Sequence, residues 1–274
     1  MLVGTAKPSM NHLLTVSLLL LLLSSAFAEG EELNTQLMRA TVKISHEKST
    51  ATGFVLSQGK NGRYILVTAA HVFDDTPGDE TTVVFRSKQA EGEYKKEPTK
   101  LVIRKQGKPL WKKHPTADVA VIAITPPRNA DLPRVSTDLL ATDESLRKHR
   151  IHPGERLAIL GYPHREEGSA AGFPLLRDGP IASFPLVPTA KTKTFYLSTN
   201  SFAGDSGGPV YLARPSLTDP DKEDVKLIVG LVYGQRFLDE EAKMIYGTTK
   251  LRHRLGLAIV IHASFIAKTI DLLK

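Results

Sequence analysis

Cysteine is absent from the 274-residue chain. That excludes disulfide bonds, a thiol nucleophile, a cysteine-based zinc site and a lipid-modified cysteine, so stability has to come from packing alone. Internal repeats and low-complexity tracts are also missing, and no long helical period runs through the first half. Hydrophobic runs are short: Leu13–Leu23 spans eleven positions, against the roughly 20 that cross a bilayer. Metal-ligand patterns are equally sparse. The acids of Asp219–Asp224 lack the spacing of an EF-hand, and His149 and His152 have no third ligand in reach. Neither a metal nor a cofactor is therefore expected.

What is present begins with a leader. Lys7 is the only charged side chain of residues 1–28, the run from Leu13 follows it, and Ala26-Phe27-Ala28 forms a small-residue cleavage site. This predicts a signal peptide over 1–28, export to the periplasm or outside the cell, a mature start at Glu29 and no stable membrane insertion afterwards. The formal charge of +7 falls to about +6 without Lys7. That is mildly basic, a matter of surfaces rather than fold. Much of it sits between residues 95 and 113, where eight lysines and arginines face a single acid, Glu97. The reading given most weight is lysines on strand edges and loops; an exosite for an anionic polymer or surface is the alternative.

The rest reads as short strands separated by turns. Residues 29–36 are polar and predict a loose arm. Strands are predicted at 40–44, 52–56, 64–68, 81–85, 101–103 and 119–124, with a turn at 59–62. Residues 126–154, opening on Pro126-Pro127-Arg128-Asn129, predict a crossover. A second set is predicted at 156–161, 179–183, 194–198, 209–212, 227–232 and 256–261. Ser264 predicts an N-cap for a short helix over 265–273. The fold class is all-β: two six-stranded antiparallel barrels, over 29–125 and 155–274, with a C-terminal helix.

Three motifs carry chemistry. Gly204-Asp205-Ser206-Gly207-Gly208-Pro209 sets a hydroxyl among glycines, where substrate can approach closely and the amides of Gly204 and Ser206 can converge on an oxyanion. Serine is a weak nucleophile without a base, and the base needs an orienter. Thr68-Ala69-Ala70-His71 and Asp118-Val119-Ala120-Val121 supply both. His71 and Asp118 lie 47 residues apart, and Ser206 follows Asp118 by 88.

Together these motifs resemble the chymotrypsin/trypsin-like serine peptidases, in the order His, Asp, Ser and near that family's spacing of about 45 and 93. The resemblance covers nearly all of the chain after residue 35. It implies a two-barrel endopeptidase with polypeptide substrates, no nucleic-acid partner and the triad His71, Asp118, Ser206. Animal digestive members are usually disulfide-bonded, so a cysteine-free exported chain points to a bacterial-type member. The resemblance also implies that Asn200 lies at the base of the P1 pocket, that Val232-Tyr233-Gly234 pairs with the substrate backbone, and that Gly234 and Gly256 leave the pocket walls open. Asn200 is not the acid of trypsin-like enzymes, so an apolar or small P1 residue is expected. No basic-residue-then-IVGG activation site is present; Arg39-Ala40-Thr41-Val42 reads as an ordinary strand start. Asp205 therefore needs a partner other than a new N-terminus, and no zymogen step is expected. Two alternatives remain: a quality-control protease of the HtrA kind, against which the lack of a C-terminal peptide-binding domain counts, or a latent binding protein on the same fold. Oligomeric state is not legible.

Overall fold

In the computed structural model, residues 32–47, 49–59, 62–214, 224–244 and 247–273 are described. The predicted signal peptide and mature start lie outside them. From Leu33 onward the polar arm predicted over 29–36 is instead a helix, α1 (Leu33–Ala40). Leu33, Leu37 and Ala40 are buried on one face of it, so the spacing of its few apolar residues outweighed its polar composition.

Nine strands follow: β1 (Thr41–His46), β2 (Ser49–Ser57), β3 (Tyr64–Thr68), β4 (Glu80–Lys88), β5 (Tyr94–Val102), β6 (Arg104–Lys105), β7 (Lys108–Pro109), β8 (Lys112–Lys113) and β9 (Ala120–Ile124). A short helix, α2 (Ala70–Asp74), sits between β3 and β4. Seven of the strands make one antiparallel sheet in the order β5-β4-β1-β2-β3-β9-β8, one more than expected because Lys112–Lys113 adds a two-residue edge. The central β2 and β3 are buried almost throughout, whereas the edge strand β5 has no buried residue. The lysine-rich stretch supplies both outer strands, β5 and β8. There Lys96 pairs with Glu167, and Lys113 pairs with Asp74 at 2.5 Å.

The predicted crossover is not bare loop. It carries helix α3 (Asp143–Lys148), started by a reciprocal cap between Thr142 and Ser145. Ala141 also donates to the Ile228 carbonyl at 2.8 Å. The second sheet comprises β10 (Arg156–Gly161), β11 (Leu175–Pro180), β12 (Thr194–Ser198), β13 (Pro209–Arg214), β14 (Val225–Met244) and β15 (Gly247–His262), in the order β11-β10-β13-β14-β15-β12. Its first and last members meet at the Ile181↔Leu197 bridge, so the sheet curls back on itself. β14 and β15 run far beyond the predicted 227–232 and 256–261, as one long hairpin. The last helix, α4 (Ala263–Ile270), begins after His262, not Ser264. The Ser264 hydroxyl donates instead to Thr189 Oγ1 at 2.9 Å.

Two buried bases shape the packing. Arg86 on β4 is 2% exposed and donates to the carbonyls of Arg39, Thr41 and Gly172 and to the Tyr162 hydroxyl. It thus joins α1 and β1 of the first sheet to the β10–β11 loop of the second. Burial pushes the Tyr162 phenol up to about 12. His262 is 1% exposed, its ring 4.8 Å from that of Phe195, and neither ring nitrogen has a partner among the described residues. Burial pulls His262 down to about 4, against a weak opposing pull from Asp143. Its folded pKa is below its ordinary 6.5, so this contribution to stability is complete above pH 6.5 and is lost as pH falls toward 4. At about 1.4 kcal/mol per unit the loss reaches roughly 3 kcal/mol. His262→Phe is expected to flatten the urea-midpoint profile between those pH values; an unchanged slope would refute it.

Candidate active site

The β3–β9 ladder brings the first two motifs together. Thr68 ends β3 opposite Ala120, so His71 at the start of α2 lies against Asp118, just before β9. The His71 amide donates to Asp118 Oδ1 at 2.9 Å, and His71 Nδ1 lies 2.5 Å from Asp118 Oδ2. With Nδ1 engaged, Nε2 is the nitrogen left for chemistry. Burial opposes the charge on His71, but the Asp118 hydrogen bond and the charges of Asp118, Asp75 and Asp74 outweigh it and hold its pKa above 6.5. Asp118 is held below its ordinary value: burial works against this, and the bond from His71 prevails.

The glycine-rich loop is held onto the first sheet by Thr52, a β2 residue that sequence reasoning missed. The Thr52 amide donates to the Ser206 carbonyl at 3.0 Å, and its hydroxyl donates to the Gly204 carbonyl at 2.6 Å while accepting from the Tyr162 amide at 3.2 Å. Thr68 Oγ1 donates in turn to the Thr52 carbonyl at 2.7 Å. A Cβ at Gly207, where φ is +87°, would lie 2.2 Å from both the Thr52 carbonyl and Thr68 Oγ1. Only glycine fits there. The amides of Asp205, Gly207 and Gly208 are each bonded within this region. Among the described residues those of Gly204 and Ser206 have no acceptor, so they are the two expected for an oxyanion.

Ser206 and His71 line one cleft of about 260 Å³, together with residues of β1 and β2. The Ser206 hydroxyl donates to the Tyr233 carbonyl at 3.3 Å, and the Tyr233 ring stands edge-on to His71 at 6.1 Å. Of the other predicted substrate residues, Gly234 lines a neighbouring cleft with His71, Asp118 and Tyr233. Val232 is bonded both ways to the loop, through Gly207 and Gly208. A Cβ at Gly256, where φ is +68°, would sit 4.0 Å from Asn200 Oδ1, and one at Gly234 would meet nothing within 4 Å.

Asp205 is fully buried, and its partner is Arg177 of β11, whose Nη2 donates to Oδ1 at 2.6 Å. The Phe202 amide donates to Oδ2 at 2.7 Å, and Arg177 Nη1 also donates to the Asn200 carbonyl at 3.2 Å. Burial raises the Asp205 pKa; Arg177 and the Phe202 amide oppose it. No motif announces Arg177, which lies 28 residues upstream of Asp205.

The trypsin-like peptidase domain family matches residues 51–216, and the chain belongs to that family. The chain is a peptidase by that membership. No curated protein matches it. Similar solved structures include Rv3671c of M. tuberculosis H37Rv as a serine-to-alanine mutant in an inactive form, 17% identical, covering 99% of this chain and 97% of that one with a TM-score of 0.46. Another is the Rv3671c protease in an inactive form, 19% identical over 88% and 92% of the two chains, with a TM-score of 0.45.

A His71 that serves as general base must be neutral, so its raised pKa has a kinetic consequence under that role. The acid limb of kcat/KM for peptide hydrolysis is expected above pH 6.5. Asp75→Asn removes one of the carboxylates holding it there and is expected to move the limb downward by less than about one unit, since Asp118 remains. An upward move in a pH-rate profile would count against this account.

Proposed function

We propose that the chain is an exported serine endopeptidase. Ser206 attacks the scissile carbonyl, His71 takes its proton through Nε2 and returns it to the leaving amine, and Asp118 fixes the imidazole tautomer and stabilises the imidazolium. The Gly204 and Ser206 amides hold the oxyanion, and the acyl-enzyme is then hydrolysed by water. For attack, the hydroxyl turns from the Tyr233 carbonyl to His71. The observation that carries the reading is that His71, held by Asp118 at 2.5 Å, lines a cleft together with Ser206. An uncharged Asn200 beside Gly256 favours an apolar or small P1 residue. Because Arg177 already neutralises Asp205 from within the fold, no cleavage to make a new N-terminus is needed, and none of the described N-terminal residues is required as its partner.

A second reading, a latent binding protein, is favoured by one observation: the Ser206 hydroxyl engages Tyr233 and not His71. Labelling of the chain from Glu29 onward with a fluorophosphonate probe, beside Ser206→Ala, decides between them, because the probe needs an activated serine. Labelling that disappears in the variant supports the peptidase; no labelling of either leaves the latent reading.

A further inference from the structure

A trans peptide is planar, and its N–H and C=O point in opposite directions. The aim of an oxyanion donor is therefore set by whatever holds the carbonyl of the same peptide. The Ser206 amide shares its peptide with the Asp205 carbonyl, which accepts from the Gly208 amide at 2.9 Å, inside the glycine-rich loop. The Gly204 amide shares its peptide with the Ala203 carbonyl, and that carbonyl accepts from the His164 amide at 2.7 Å. One donor is thus aimed locally and the other from the β10–β11 loop. We propose that His164 is a positioning residue for the oxyanion hole, its backbone amide fixing the peptide that presents the Gly204 donor; this rests on the endopeptidase reading.

The turn that carries this amide is strained. His164 lies at φ +50° and ψ +29°, and Arg165 follows at φ +73°. Left-handed backbone is uncommon outside glycine, and it persists where the surroundings over-determine it. Here the Arg165 amide donates to the Tyr162 carbonyl at 3.1 Å and the Glu166 amide to the Pro163 carbonyl at 2.9 Å. Lys43 of β1 donates to the Arg165 carbonyl and to Glu167 Oε1, both at 3.0 Å, and Lys96 of β5 pairs with Glu167 Oε2. Gly204 sits bare against the turn. A Cβ there, where φ is +103°, would lie 2.1 Å from the Tyr162 carbonyl and 3.6 Å from the His164 nitrogen.

The His164 side chain is exposed and touches only the Phe202 ring, at 5.1 Å. Its residue type therefore acts on the turn chiefly through φ. If His164 left the left-handed region, its N–H would leave the Ala203 carbonyl. That peptide could then turn its carbonyl toward the cleft and its N–H away, so that an acceptor faced the developing oxyanion in place of a donor. Two lysines of the first sheet, with Glu167 between them, reach the reacting centre in this way through main-chain geometry alone.

The test compares His164→Val with His164→Asn. Both remove the ring from Phe202, but asparagine tolerates left-handed backbone and a β-branched residue does not. Hydrolysis of a fluorogenic peptide library is expected to show kcat about tenfold lower for the valine chain than for the asparagine chain. KM should be the same in both, since the lost interaction belongs to the transition state. The acid limb of kcat/KM should also coincide, because His71 is untouched. If circular dichroism shows that the valine chain has not folded, His164→Ala replaces it, with an expected deficit of about threefold. Equal kcat in the pair, a difference carried by KM, or a displaced acid limb would overturn the proposal. If the unaltered chain neither hydrolyses peptides nor labels with a fluorophosphonate, the endopeptidase reading is what fails. Positioning is then decided by the Gly204 amide resonance in proton–nitrogen spectra: displacement in the valine chain alone supports it, and identical spectra in the pair overturn it.

Discussion

In the Ser206→Ala chain, kcat for peptide hydrolysis is expected to fall by about 10⁶-fold, and in Asp118→Asn by about 10⁴-fold. The two losses come from different atoms. Alanine removes the attacking oxygen, whereas asparagine keeps the shape of the 2.5 Å contact to His71 Nδ1 but presents it with an amide. The imidazole then holds the wrong tautomer, and Nε2 no longer accepts the serine proton. Because the three residues act as one unit, the double variant should be little worse than Ser206→Ala alone. Burst kinetics on an activated ester measure this directly. Multiplication of the two losses in the double variant would mean that His71 and Ser206 are not coupled.

Arg177→Leu is expected to destabilise the fold by about 3–5 kcal/mol, the usual result of leaving one charge of a buried pair alone. Arg177 has 22% of its side chain exposed and Asp205 none, so the cost falls on the carboxylate. Asp205 lies between Gly204 and Ser206, and its Oδ2 also anchors the Phe202 amide. Loss of Arg177 should therefore displace both oxyanion donors and lower kcat more than it raises KM. Arg177→Leu combined with Asp205→Leu should recover much of the stability and none of the activity. Urea denaturation alongside steady-state kinetics separates the two effects; retained kcat in Arg177→Leu would show that the ion pair does not position the loop.

Local sequence carried the candidate site. The glycines around Ser206, the strand end before His71 and the acid before β9 are each set by neighbours within a few residues, so each was readable as a motif. Strand existence was readable for the same reason, since the β-branched run at Tyr64–Thr68 and the apolar run within Arg156–Gly161 coincide with the observed elements. The C-terminal helix was legible, but its cap was not, because Ser264 turns to Thr189, 75 residues away in sequence.

What only tertiary structure decided has a common cause: partners chosen across the chain rather than along it. Leu33 and Leu37 look isolated in a polar stretch until the core takes one face of α1. Thr52 is an ordinary strand residue until its hydroxyl meets the Gly204 carbonyl, 152 residues on. Arg177 becomes the counter-charge of Asp205 only when β11 folds beside the loop. The sequence by itself determined three candidate groups and their order; the long-range ladders decided how those groups are held and which charge neutralises the loop.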